Sequence, residues 1–70
     1  MAETLSFKVN GEFAELPAGS SISDLLQSRG LAGKRVAVEM DEQIVPASQH
    51  ATTLLHPGAR LEIIQAIGGG

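Results

Sequence analysis

The sequence predicts an α+β fold: one mixed sheet of four to five strands, with a single main helix packed on one face and a flexible glycine tail at the C-terminus. Three observations carry this. Period-two alternation of apolar residues recurs in separated short runs, one run changes to helical spacing between strong punctuation, and the chain ends in three glycines. Seventy residues make one domain, with 1–65 as the folded unit and 66–70 as the tail.

Leu5, Phe7 and Val9 alternate with Ser6 and Lys8, the pattern of a strand with one buried face. Asn10-Gly11 follows, a pair that accepts the positive φ of a two-residue hairpin turn. The returning strand, 12–16, then sets Phe7 against Ala14 and Leu5 against Leu16, and places Phe13 beside Lys8 on the outer face. Phe13 is therefore a candidate partner contact. Pro17-Ala18-Gly19 breaks the strand, and Ser21 is positioned as a helix N-cap with Asp24 three residues on. Ile22, Leu25 and Leu26 form one apolar stripe. Gly30 supplies a left-handed stop and Leu31 packs back on Leu26, giving a helix over 22–29.

Val36, Val38 and Met40 alternate in a further strand over 35–40, Asp41-Glu42 turns the chain, and Gln43-Ile44-Val45 is a brief strand ended by Pro46. The stretch 47–55 reads as a loop with room for one helical turn, with Leu54 and Leu55 closing the core from below. Pro57-Gly58 is a turn, and 60–67 is the last strand. The adjacent Ile63 and Ile64 suggest burial on both faces and hence a central place in the sheet. A hairpin, a helix and returning strands, with first and last strands side by side, is the ubiquitin-like β-grasp arrangement.

Composition narrows the function. There is no cysteine, hence no disulfide and no thiol nucleophile. The net charge is −3, and the five basic residues Lys8, Arg29, Lys34, Arg35 and Arg60 are scattered, which argues against nucleic acid. No apolar run approaches a membrane span and no signal-peptide pattern opens the chain, so a cytoplasmic location is expected. His50 and His56 fall in loop segments without metal-ligand spacing and read as solvent-facing, so no metal site is expected. Ser20, Ser21 and Ser23 surround a helix start, where capping accounts for them. No catalytic residue and no cofactor is expected.

What remains is the tail, Ala66-Ile67-Gly68-Gly69-Gly70. Glycine has no Cβ and can enter a slot too narrow for side chains, and five extended residues reach roughly 17 Å. That length would carry the Gly70 carboxylate into a partner's active site while the domain stays outside.

The chain resembles the ThiS family, the sulfur carriers of thiazole (thiamine) biosynthesis, over nearly its whole length. The likeness lies in Val9-Asn10-Gly11, Ser21-Ile22-Ser23-Asp24-Leu25-Leu26 and Val36-Ala37-Val38, and most specifically in Gln43-Ile44-Val45-Pro46 and in the run from Gly58 to Gly70. Three positions depart from it. Ala47 stands where the family often has Arg, Ala59 where it often has Asp, and Gly68 where Ala is common. The resemblance implies that an ATP-using, E1-like adenylyltransferase (ThiF-like) activates Gly70. A persulfide donor then supplies sulfur to form a thiocarboxylate, and a thiazole synthase (ThiG-like) takes that sulfur. Ala66, Ile67, Gly68 and Gly69 would thread into the partner, and the free protein would be a monomer. A molybdopterin-type sulfur carrier, a ubiquitin-like protein modifier and a plain interaction module remain as alternatives. The stretch Gln43-Ile44-Val45-Pro46 favours the thiazole branch.

Overall fold

A computed structural model describes residues 3–65, in the order β1 (Thr4–Val9), β2 (Glu12–Pro17), α1 (Ile22–Ser28), β3 (Val36–Met40), β4 (Gln43–Val45), a 3₁₀ turn (Ala47–Gln49) and β5 (Arg60–Gln65). The tail expected at 66–70, and the last two residues of the expected final strand, lie outside the described residues.

The strands form one sheet in the order β2-β1-β5-β3-β4. β1 and β5 run parallel at its centre and the other pairs are antiparallel, so the sheet is mixed and the architecture is the β-grasp. The hairpin register follows from the two-residue turn. Asn10 and Gly11 both take positive φ (51° and 85°), which matches the turn to the twist of its strands and sets Phe7 opposite Ala14 and Leu5 opposite Leu16.

Helix α1 lies over the apolar face. Its Ile22, Leu25 and Leu26 join Leu5, Phe7, Val9, Val38, Leu61 and Ile63 of the sheet, together with Leu55 and Ala59, in one buried cluster. Both helix ends are closed by local chemistry. Ser21 Oγ accepts the Asp24 N–H (3.1 Å) while the Asp24 carboxylate accepts the Ser21 N–H (2.9 Å), a reciprocal capping box. At the other end Gly30 takes φ 72°, and the Leu31 and Gly30 N–H groups donate to the carbonyls of Leu26 (2.8 Å) and Gln27 (3.1 Å), the Schellman arrangement. The helix stops at Ser28 with Arg29 as its C-cap, one residue earlier than the apolar spacing implies.

The stretch 47–55 does more than close the core. The Ile22 and Ser23 N–H groups, which a helix start cannot satisfy internally, donate to Thr53 and His50 carbonyls (both 3.0 Å), and the Leu55 N–H donates to Ser20 O (2.8 Å). The loop is thus the second half of the helix cap.

Three expectations are corrected. Leu55 is buried, but Leu54 is exposed because its backbone pairs with Ser21 and turns its side chain outward. β5 is central as expected, yet Ile64 is exposed. The helix covers only one face of the sheet, so centrality buries Leu61 and Ile63 and leaves the alternate positions open. His50 is buried rather than solvent-facing, and its Nε2 lies 2.9 Å from the Val45 carbonyl oxygen, to which it donates.

Asn10 has a second task that its turn role conceals. Its side chain reaches across to β5, where Oδ1 accepts the Ile63 N–H (2.9 Å) and Nδ2 donates to the Ile63 carbonyl (3.3 Å). Replacing Asn10 by Ala is expected to cost about 2–3 kcal/mol, from the left-handed backbone plus the lost hydrogen bonds. Asn10→Gly keeps the backbone and should lose only about 1 kcal/mol. Urea unfolding of the two variants separates the contributions; equal losses would remove the conformational part of this account.

Candidate functional site

The site to which the sequence points is the end of β5, where the chain leaves the sheet. β5 is held by β3 up to its last described residue, with Val36 paired to Gln65 and Ala37 to Ile64, and on its other side Asn10 grips both backbone groups of Ile63 from the β1–β2 turn. The root of residues 66–70 is therefore fixed relative to the core. Gly70 and the threading residues Ala66, Ile67, Gly68 and Gly69 lie outside the described residues.

The sheet face opposite the helix carries side chains of mixed character. At one edge Phe13 is 80% exposed, with the Lys8 ammonium 5.0 Å from its ring centroid, a cation–π distance. Lys8 is in turn level with Arg60 on β5. Across the sheet, Ile44 and Ile64 are also exposed, Ile64 level with Ala37 and Ile44 level with Glu39, which is paired on its other side with Glu62. The outward placement of Phe13 follows the two-residue turn, as the sequence expects. Ile44 and Ile64 add apolar surface that the sequence reading assigns to strands without expecting it to be exposed. Period-two alternation counted from Val38 and Ile63 puts both on the face opposite the core, but that this face is uncovered is decided by the tertiary structure.

The shortest side-chain hydrogen bond in the described residues joins two loops. His56 Nε2 lies 2.6 Å from Asp41 Oδ2, and His56 Nδ1 lies 2.9 Å from the Pro57 carbonyl oxygen. The hydrogen bond to Asp41 comes first, and that to the Pro57 carbonyl second, in raising the His56 pKa above its ordinary 6.5. The Asp41 carboxyl is held below its ordinary 3.8, chiefly because Oδ1 accepts the Arg60 backbone N–H (3.0 Å) and then because of His56. This is not the arrangement of a catalytic dyad. Both ring nitrogens are committed to acceptors within the protein, which leaves neither to take a proton from a nucleophile. Among the described residues no group of three or more His, Asp or Glu side chains is placed to hold a metal ion. No described helix is long and apolar enough to cross a membrane.

Comparison with known proteins bears on the whole chain. The model of the ThiS family matches residues 7–70. A thiazole synthase of Paramagnetospirillum magneticum is 39% identical over 62 residues, covering 89% of this chain and 19% of that protein. A thiazole synthase of Magnetococcus marinus is 30% identical over 66 residues, covering 94% of this chain and 20% of that protein. The chain thus spans about a fifth of the length of these two relatives. The uncharacterized protein ycf40 of Pyropia yezoensis is 32% identical over 66 residues, which cover 94% of this chain and 93% of that one. Among solved structures, the thiamine biosynthesis protein (ThiS) of Geobacter metallireducens superposes with a TM-score of 0.75 at 23% identity, over 94% of this chain and all of that one. That likeness establishes the shared fold.

Proposed function

The chain belongs to the ThiS family, and from that premise we propose that it carries sulfur for thiazole formation as a thiocarboxylate at Gly70. The observation that carries the proposal is the extent of the family match, which runs through Gly68, Gly69 and Gly70 to the last residue and so includes the part a carrier would use.

The chemistry follows from what a carboxylate lacks. It is a poor acyl donor because its leaving group would be oxide. In the proposed sequence the Gly70 carboxylate attacks the α-phosphorus of ATP on an E1-like, ThiF-like adenylyltransferase. Pyrophosphate leaves, and the acyl-adenylate that remains can expel AMP. The outer sulfur of a persulfide donor attacks the acyl carbon, AMP departs, and a thiol then cleaves the resulting acyl disulfide to leave the thiocarboxylate. Glycine at the last position leaves the acyl carbon unshielded on both faces, and Ala66, Ile67, Gly68 and Gly69 form the segment that threads into the partner. In this scheme 1–65 is the rigid handle and 66–70 the working arm; the grip of Asn10 and β3 on β5 supports that division. The protein supplies no catalytic group and no cofactor of its own.

A ThiG-like thiazole synthase is the proposed sulfur acceptor. Two proteins named thiazole synthase contain a segment similar to this chain, which favours the thiazole branch over the molybdopterin one. We place the encounter in the cytoplasm with a monomeric carrier. Phe13, exposed beside Lys8, is proposed as part of the docking surface. Replacing it by Ser should raise the KM for activation about tenfold, the loss typical of an interface anchor, with kcat unchanged. An unaltered KM would remove Phe13 from the interface.

The test is the intact mass of the protein after incubation with ATP, a ThiF-like enzyme and a persulfide donor. Replacement of one oxygen by sulfur, absent when Gly70 is deleted, is the expected result. No change with a demonstrably active enzyme would overturn the proposal, and isopeptide adducts of Gly70 on other proteins would indicate a modifier instead.

A further inference from the structure

The turn between β3 and β4 is made by two residues, Asp41 and Glu42, and both take left-handed backbone conformations (φ 53° and 71°) without a glycine. Such a conformation is costly for Glu in particular, so something outside the turn must hold it. The contacts of Asp41 show what does. Its N–H donates to the Arg60 carbonyl (2.8 Å), its Oδ1 accepts the Arg60 N–H (3.0 Å), and its Oδ2 meets His56 Nε2 (2.6 Å). The turn is thereby fastened to the segment that leads into β5. The fastening matters because β4 is three residues long and lies at the sheet edge, with β3 as its one neighbouring strand.

His56 faces an acceptor at each ring nitrogen, the Asp41 carboxylate at Nε2 and the Pro57 carbonyl at Nδ1. A neutral imidazole has one N–H and one lone pair, and so must turn a lone pair toward one of these oxygens. Only the imidazolium donates to both. We infer that His56 is a proton-operated clip: protonated, it ties the β3–β4 turn to the entry of β5 by a charged hydrogen bond, and on losing its proton it weakens that tie, leaving the turn and the β4 edge that carries Ile44 held by Asp41's two hydrogen bonds to the Arg60 backbone. The charged group facing it is Asp41 on the turn; Arg60 at the start of β5 acts on Asp41 and shares a surface hollow with Glu39, Glu42 and Glu62. The inference does not depend on the sulfur-carrier reading.

The direction with pH follows from both partners. His56 has a raised folded-state pKa, so its contribution is full below 6.5 and is lost as pH rises through the higher folded value. Asp41 has a lowered one, so its contribution is full above 3.8 and is lost as pH falls through the lower folded value. The clip is closed between 3.8 and 6.5 and loosens as pH rises through the raised His56 value.

The test uses the isotope-labelled full chain. Nuclear magnetic resonance follows the His56 ring nitrogens with pH, while hydrogen exchange, corrected for the intrinsic rate at each pH, follows the Arg60 amide that donates to Asp41. The expected result is a His56 midpoint above 6.5, both ring nitrogens protonated below it, and opening at Arg60 that increases over the same pH range. For each unit by which the midpoint is raised, opening can increase by about tenfold. Asp41→Asn is the informative variant, because Asn tolerates the left-handed backbone while losing the charge. It should return the midpoint toward 6.5 and abolish the pH step at Arg60. An ordinary midpoint unaffected by Asp41→Asn would overturn the clip. So would a raised midpoint with exchange at Arg60 independent of pH, since the ion pair would then restrain nothing.

Discussion

Replacing Phe7 by Ala is expected to cost about 3–5 kcal/mol, the usual penalty for emptying a buried aromatic site. Phe7 is 1% exposed at the centre of the cluster formed by the sheet and α1, where neighbours held by strand pairing and helix caps cannot collapse into the space. A domain of this size has about 4–10 kcal/mol of stability in total, so the variant would be partly or largely unfolded at room temperature. The same substitution at Phe13, 80% exposed, is expected to change stability by no more than about 0.5 kcal/mol. Chemical denaturation of the pair is a direct check on which face of the hairpin holds the fold together. Similar losses at the two positions would contradict the register described above.

Substituting Val for Gly69 is expected to act in the opposite sense, destroying activation while leaving the fold intact. A β-branched side chain restricts the backbone and adds bulk one residue from the proposed reacting carbon. Misplacement of a reacting group by about 1 Å can cost about 100-fold in rate, so adenylation should fall by at least that factor. The urea midpoint should match that of the unaltered chain, because the proposed handle ends at residue 65. Normal activation of Gly69→Val would count against entry of the tail into a narrow channel. A shifted unfolding midpoint would count against the division into handle and arm.

These two expectations separate what the chain needs to fold from what it is proposed to need to work, and the separation was already legible in the sequence. Alternation in 5–9 and 36–40, the Asn10-Gly11 turn, and the Ser21–Asp24 and Gly30 signals determined the hairpin, the helix and their register. Each is a short-range effect of backbone conformation and side-chain period, which residues within a few positions of one another decide. The same kind of reading placed Phe13 on the outer face. Tertiary structure decided what depends on residues far apart in the chain. Ile64 is open because the helix covers one face only, and no local pattern says which faces of a sheet will be covered. His50 is buried because 47–55 folds back to cap the helix start, and Leu54 is turned outward by the same backbone pairing. Asn10 grips Ile63, 53 positions away, and Asp41 meets His56, 15 positions away, because β5 enters the sheet between β1 and β3. The sequence by itself therefore determined the elements and the candidate arm. Only the closing of the central strand between its two neighbours decided how the base of that arm is held, since such contacts exist only once distant segments share one sheet.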